Sequence, residues 1–385
     1  MKKVVIAIDS FKGSLSTFGA GTAIEEGIRQ VYPNAEVIIS PIADGGEGTV
    51  EAVVSATGGE FVTCSVCGPL GNRIAASYGF ISQTKTAVIE MSQAAGITLI
   101  SDAERNPLHT TTFGVGELIL DAISKGCRNF VIGIGGSATN DGGVGMLQAL
   151  GFEFLNKDGK QVSYGAKGLQ EIVAIKTENA VKELKECQFS VACDVKNVLC
   201  GENGCSAVYG PQKGATPEMI LEMDSWLKDY ARLTKEVLPA SDENFPGTGA
   251  AGGMGFALLS YLDATLCSGI ELVIRETGLE RHIPDADVVI TGEGRLDGQS
   301  YMGKAPIGVA KLAKKYGKTV LAFSGCVTDD AVLCNEHGID AFFPIVRKPC
   351  TLEEAMDVEN AHKNLRDTVC QVFRLLNVYD NRSIN

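Results

Sequence analysis

Six polar side chains crowd one short stretch of this sequence: Glu293, Arg295, Asp297, Gln299, Ser300 and Lys304. They lie between an apolar, β-branched run, Asp287 to Ile290, and a segment from Lys304 with helical spacing at Ile307, Ala310, Leu312 and Ala313. The run predicts a buried strand, Thr291-Gly292-Glu293-Gly294 a turn, and the remainder a helix. Ligands of α/β proteins collect in loops at the carboxyl ends of strands. Mixed charge threaded with glycine suits such a loop, the plain alternative being a solvated turn with a helix cap. Gly298 to Lys304 fits the spacing G-x-x-x-x-G-K, but Ala305 stands where a P-loop carries the Ser or Thr that holds Mg²⁺. A standard P-loop is therefore excluded. Phosphate binding by glycine N–H groups and Lys304 stays an expectation.

Three more glycine-bearing polar loops follow predicted strands, at 10–14, 44–49 and 135–143. Glycine lets backbone N–H groups approach a ligand closely and point together at an anion. One such loop is an ordinary turn; four that also carry Asp, Glu, Lys or Ser are hard to explain by folding alone. They supply carboxylates for a divalent metal or for proton abstraction, and cations for charge neutralisation. Histidine and a nucleophile–base pair are missing from them. That set of groups matches phosphoryl transfer, which needs positioning and charge stabilisation more than covalent chemistry.

The elements that must position these loops follow from the chain in order. Val4 to Ile8 and Glu36 to Ile42 read as strands, each followed by a polar loop and a helix, the first helix capped by Ser16. After Gly58-Gly59 three consecutive strands, 60–68, 73–81 and 85–91, have no helix between them, which is wrong for a simple doubly wound sheet. A helix over Val115–Ser124, a strand over Asn129–Ile134, a strand from Gln188 to Cys193 ending at Asp194, and a long helix capped by Thr216-Pro217 follow. From 287 the strand–helix texture resumes: helix 304–316, strand Thr319–Phe323, helix 329–337, strand Ala341–Ile345 and a closing helix 352–376. The expected class is α/β with two domains. A flavodoxin-like parallel-sheet domain is built from 1–60 and 280–385, with residues 61–279 inserted as a second, mixed α/β domain.

At 385 residues, 45% hydrophobic and 21% charged, the composition is that of a well-cored soluble protein. A net charge of −13 argues against nucleic acid and anionic membranes as partners. The twelve cysteines form no disulfide or zinc framework: Cys64 and Cys67 make a lone C-x-x-C in strand-like sequence. Free thiols, the lack of a leader-like apolar region and the lack of an 18-residue apolar run lead to the expectation of a cytoplasmic protein.

Seven segments together resemble the type I glycerate kinase family: DSFKGS (9–14), ADGGEGT (43–49), ERNPLHTTTFGVGEL (104–118), GGSATNDGGVG (135–145), the stretch from ACDV at 192 through GPQKGAT to 216, GAAGGMG (249–255) and GEGRLDGQSYMGKAPIGVA (292–310). They span nearly the whole chain at family spacing. The resemblance implies a flavodoxin-like and a restriction-enzyme-like α/β domain with the active site in the cleft between them. It implies ATP- and Mg²⁺-dependent phosphorylation of D-glycerate, for this type most often at the 2-hydroxyl, with the 3-hydroxyl as the alternative. Cys200 and Cys205 fall where other residues are expected, without bearing on the chemistry. A nucleotide-dependent oxidoreductase is the competing class, but Gly247–Gly252, a G-x-G-x-x-G, follows Asn244-Phe245-Pro246 rather than a strand. A non-catalytic binding module leaves the placed carboxylates unexplained.

Roles are then weighed residue by residue. Asp194 is the first candidate for base to the glycerate hydroxyl, with Mg²⁺ ligand and capping acid as its other readings. Asp44 and Glu47 suit metal or substrate-hydroxyl contacts, or an N-cap with its N3 glutamate. Lys12, Arg105 and Arg295 suit the glycerate carboxylate or the γ-phosphate, or are surface ion pairs. Asp141 and Asp297 are metal or loop-bracing candidates. Ser10, Asp297 and Gln299 are further substrate contacts. Gly135, Gly136, Ser137, Thr139 and Asn140 would hold an anion at a helix N-terminus, and Gly252, Gly253 and Lys304 join them as nucleotide-phosphate contacts. The oligomeric state is left open by the sequence.

Overall fold

A computed structural model describes residues 1–382. The strands, numbered along the chain, are β1 Lys3–Ile6, β2 Glu36–Ile39, β3 Glu60–Cys67, β4 Arg73–Ile81, β5 Thr86–Glu90, β6 Asn129–Gly133 and β7 Glu153–Leu155. They continue with β8 Ala174–Lys176, β9 Gln188–Ala192, β10 Thr265–Cys267, β11 Val288–Leu296, β12 Thr319–Val327 and β13 Ala341–Pro344. The chain divides into two compact units. One comprises Met1–Asp44, Glu51–Thr57 and the chain from Val273 onward; the other comprises Gly45–Val50 and Gly58–Leu272.

The first unit holds a five-stranded sheet in the order β13-β12-β11-β1-β2, parallel throughout. Counted within the unit, the order is 2-1-3-4-5, that of flavodoxin-like folds. From β1 the chain leaves to one side, and β11 enters on the other, so a crevice opens at the carboxyl ends of this pair. The strands are apolar on both faces, as a sheet covered on both sides requires: Val4, Val5, Ile6, Val289, Ile290 and Phe323 are all fully buried. The helix Thr17–Arg29 is capped by Ser16, whose hydroxyl accepts the Gly19 N–H at 3.1 Å, and it buries Ala20, Ile24 and Ile28.

Three features of this unit differ from the sequence reading. β11 does not break at Thr291 but runs on to Leu296, because β12 is equally long and pairs with it as far as Val327. Gly292 permits this pairing, since a side chain there would collide with the Phe323 carbonyl. The closing helix is two helices, Leu352–Met356 under a Thr351–Glu354 capping box and Val358–Arg382, parted at Asp357. Residues 329–337 form a 3₁₀ turn, Asp329–Val332, and one helical turn, Leu333–Glu336.

The second unit holds a mixed six-stranded sheet, β10-β9-β6-β5-β4-β3, with a separate antiparallel pair β7-β8. β3, β4 and β5 form the antiparallel meander expected from residues 60–91. β5, β6, β9 and β10 are parallel and so present their carboxyl ends along one edge. The helix Pro217–Val237, capped by Thr216, buries Met223, Leu227 and Tyr230, and the Tyr230 ring meets Phe256 edge-on and stacks on Tyr261. Trp226 packs at the margin of this core, half-buried. The helix Ala250–Leu262 was not legible in the sequence: Ala251, Gly252 and Gly253 take left-handed φ inside it, which masks the helical pattern. Among the described residues no helix is long and apolar enough to cross a membrane. The two-domain α/β class expected from the sequence is the class observed.

Candidate functional site

In the first unit, chemistry gathers where β1 and β11 end. The Asp9 N–H donates to the Gly292 carbonyl at 3.0 Å, so the loop after β1 lies against β11. Along an extended strand alternate residues share a face, and Glu293, Arg295 and Asp297 follow one another at that interval. Together with Asp9, Lys12, Asp44 and Lys304 they line a pocket of about 810 Å³. The ion pairs inside it are long: Lys12–Asp44 3.9 Å, Lys304–Glu293 3.9 Å, Lys304–Asp297 3.8 Å and Arg295–Asp297 3.3 Å. Cations held this loosely lose little when they turn to an anionic ligand. Glu293 is better fixed, accepting the Ser300 hydroxyl at 2.5 Å, and burial raises its pKa.

Asp9 is only 4% exposed. Burial first, then the charge of Asp44 and more weakly that of Glu293, push its pKa up to about 7. The Ser10 N–H at 2.6 Å and the Lys12 ammonium act in the other direction. Asp9 is absent from the set picked out in the sequence. Its signal was an Asp closing the first strand of a parallel sheet.

In the second unit, pairing register puts Glu90, Gly133, Ala192 and Cys267 side by side at the carboxyl edge of β5, β6, β9 and β10. The loop 45–50 crosses that edge. Gly45 has φ of +85°, and a Cβ there would stand 2.5 Å from the Ala192 Cβ and 2.7 Å from the Gly269 Cα, so only glycine fits. Buried Glu90 anchors the loop by accepting the Val50 N–H at 2.9 Å, while Glu47 stays exposed. Asp194 lies two residues past β9 and is exposed; its Oδ1 accepts the Gly269 N–H at 3.1 Å, at the start of the helix Gly269–Thr277. This bond fixes the direction of the carboxylate.

The loop after β6 is held from beneath. Lys213, 2% exposed, donates to the Ser137 hydroxyl at 2.9 Å and to the Thr139 carbonyl at 2.6 Å. Burial brings its pKa down to about 8, against the opposing pull of Cys205 and Asp141. Asp141 is itself buried and accepts four donors: the Thr112 N–H (2.8 Å) and hydroxyl (2.9 Å), the Gly143 N–H (3.1 Å) and the Gly145 N–H (3.4 Å). Its burial raises its pKa and these bonds oppose the rise. Thr110 adds a bond to the Ala138 carbonyl at 2.8 Å, so the buried run Thr110–Thr112 laces one loop to the other.

The residues picked out in the sequence thus sort by position. Ser10, Lys12, Asp44, Arg295, Asp297 and Lys304 share the pocket of the first unit. Gln299 is exposed beside it, its N–H donating to Asp297 Oδ1 at 2.9 Å. Gly135 and Gly136 are exposed at the edge of the second unit, and Ser137 lies just beneath them. Thr139 and Asn140 are different: both are fully buried, Asn140 donating to the Ser206 hydroxyl at 2.8 Å, and the helix that follows starts only at Val144. Their side chains do not stand at a helix N-terminus. Of its two readings Asp141 takes the bracing one here. Gly252 and Gly253 back against this same loop, the Gly252 carbonyl accepting the Gly142 N–H at 3.0 Å. Arg105 pairs with Asp102 at 2.7 Å, and its buried Nε has no hydrogen-bond partner among the described residues.

Comparison with known proteins agrees over the whole length. A sequence model described as the Glycerate kinase family matches residues 4–377. The glycerate 2-kinase of Escherichia coli K12 is 48% identical over 372 residues, covering 97% of this chain and 96% of its own. A glycerate kinase of Haemophilus influenzae is 46% identical, covering 97% and 98%. A crystal structure from Salmonella typhimurium LT2, provisionally assigned as glycerate kinase 2, superposes with a TM-score of 0.91 at 47% identity and 99% coverage of both chains. Matches of this extent take in nearly all of both units, and the chain belongs to the glycerate kinase family.

Proposed function

We propose that this protein transfers the γ-phosphoryl group of ATP to the 2-hydroxyl of D-glycerate, giving 2-phosphoglycerate and ADP. The observation that carries the reading is the pocket of the first unit. Carboxylates Asp9, Asp44, Glu293 and Asp297 share it with Lys12, Arg295 and Lys304, and among the described residues no histidine lines it. Such a site neutralises and orients a phosphate chain. The choice of the 2-hydroxyl is supported by the name of the Escherichia coli relative.

Magnesium is tested by the donors present. Among the described residues no group of three or more His, Cys, Asp or Glu side chains is placed to hold a metal alone. Magnesium needs only one or two carboxylates when substrate phosphates and water complete its octahedron. The donors fit: the hard carboxylate oxygens of Asp9 and Asp44 line one pocket, and the Asp44 charge is felt at Asp9. Bound there with the nucleotide, the ion would neutralise charge on the β- and γ-phosphates.

The chain's own groups do the rest. Lys12, Arg295 and Lys304 stabilise charge on the transferring group. Asp194, aimed by the Gly269 N–H, accepts the proton of the attacking hydroxyl. Arg105, with its unpaired Nε, takes the glycerate carboxylate. Twelve free thiols suit a reducing cytoplasm. A coupled assay of ADP release with ATP, Mg²⁺ and D-glycerate tests the reading; turnover of NAD(P)H instead of ATP overturns it.

A further inference from the structure

The pocket of the first unit is chemically two-sided, and the strand order makes it so. Every charged side chain that lines it comes from the loops after β1 and β2, from β11, or from the chain just past β11. The lining contributed by β12, β13 and the chain after them carries no charge: Cys326, Val327, Ile345, Val346, Leu352 and Met356 are typical of it. Adjacent strands lie about 4.8 Å apart, so the three steps from β1 to β13 separate the two ends by roughly 14 Å. A three-carbon hydroxy acid has neither the length nor the apolar surface to use both.

The uncharged end also leaves apolar side chains in water. Leu352 is 75% exposed, Val346 39% and Met356 37%. Large apolar groups gathered about one cavity mark a binding surface. A flat, apolar heterocycle joined through a sugar to a chain of phosphates has the matching polarity.

We infer that ATP lies along this pocket, with its triphosphate at Lys12, Arg295 and Lys304. Its purine base then sits in the arm between Gly325–Val327 and Ile345–Met356. The inference rests on the proposed kinase reading for the identity of the nucleotide. It places the base at the β12–β13 end of the sheet.

Two of the twelve cysteines are exposed, Cys326 and Cys350, and both line this arm. They report occupancy without any substitution. The intact enzyme is alkylated with iodoacetamide and the rate at each thiol is read by peptide mass spectrometry. At ten times its dissociation constant ATP leaves about one site in eleven free, so both rates fall about tenfold. D-glycerate alone and inorganic triphosphate alone leave Cys350 reacting at its free rate. Ala355→Trp, which fills the arm, raises the KM for ATP at least tenfold and keeps that for D-glycerate within twofold. Release of ADP in an enzyme whose Cys326 and Cys350 are not protected by ATP overturns the placement and leaves the kinase reading standing. Protection by D-glycerate alone, or an unchanged KM for ATP in a folded Ala355→Trp enzyme, overturns it as well. Protection by ATP without any ADP release upholds the nucleotide site while sinking the kinase reading.

Discussion

Replacing Lys213 with methionine, nearly its equal in shape, removes one buried charge and lets its cost be measured. The ammonium is 2% exposed, and burial lowers its pKa from 10.5 to about 8. At ~1.4 kcal/mol for each pH unit of that fall, holding the charge inside costs the folded state about 3 kcal/mol at pH 7. The sign follows from proton linkage. Between pH 8 and 10.5 the unfolded chain binds the proton and the folded chain does not, so wild-type stability rises with pH across that window. Below pH 8 both forms are protonated and the full cost is present. Lys213→Met lacks this rise. It also strands the Thr139 carbonyl, which costs about 1–3 kcal/mol at every pH, so near pH 7 the two effects roughly cancel. Urea unfolding of both proteins at pH 7 and pH 10 isolates the lysine, because all other groups are common to the pair. The wild type should gain about 2.5 kcal/mol on the variant between those pH values. A difference that stays constant within about 0.5 kcal/mol would mean that Lys213 is not buried as a charge beneath the 135–141 loop.

Other substitutions test other parts. Asp194→Asn should lower kcat by roughly 10²–10⁴-fold with an unchanged melting temperature; a loss confined to the Mg²⁺ requirement would make it a metal ligand instead. Asp141→Ala orphans four buried donors and should destabilise the protein by about 3 kcal/mol or more in chemical denaturation. The Mg²⁺ dependence of Asp141→Asn should match wild type, and a higher requirement would return Asp141 to the metal. Gly292→Val puts a side chain against the Phe323 carbonyl and should cost about 1–3 kcal/mol or prevent folding; wild-type stability would contradict the pairing of β11 with β12 at that point.

The sequence carried those parts of the fold that rest on local pattern. The three strands from 60 to 91 were legible because alternation and turn residues are local signals, and Thr216-Pro217 announced the long helix for the same reason. β11 was cut short because Gly292 and Gly294 read as a turn, whereas Gly292 lets a long strand pair closely with β12. The helix 250–262 was hidden by glycines whose left-handed φ fits them against another loop. The same limit applied to the site. Asp44, Arg295, Asp297 and Lys304 stand out by type and spacing. Asp9 and Lys213 do not, because their character comes from burial, which only the tertiary structure supplies. Thr139, Asn140 and Asp141 look like ligand residues in sequence, yet all three side chains are buried, and the Asp141 carboxylate is bonded to donors of its own and the neighbouring loop. A short polar run spells the same whether it faces a ligand or the core.

The most direct test of the central claim is a phosphorus NMR spectrum of the enzyme turning over ATP, Mg²⁺ and D-glycerate. The proposed reaction predicts ADP and 2-phosphoglycerate in equal amounts. A 3-phosphoglycerate resonance would contradict the position of transfer, and an unchanged ATP spectrum with every divalent ion tried would contradict the function itself.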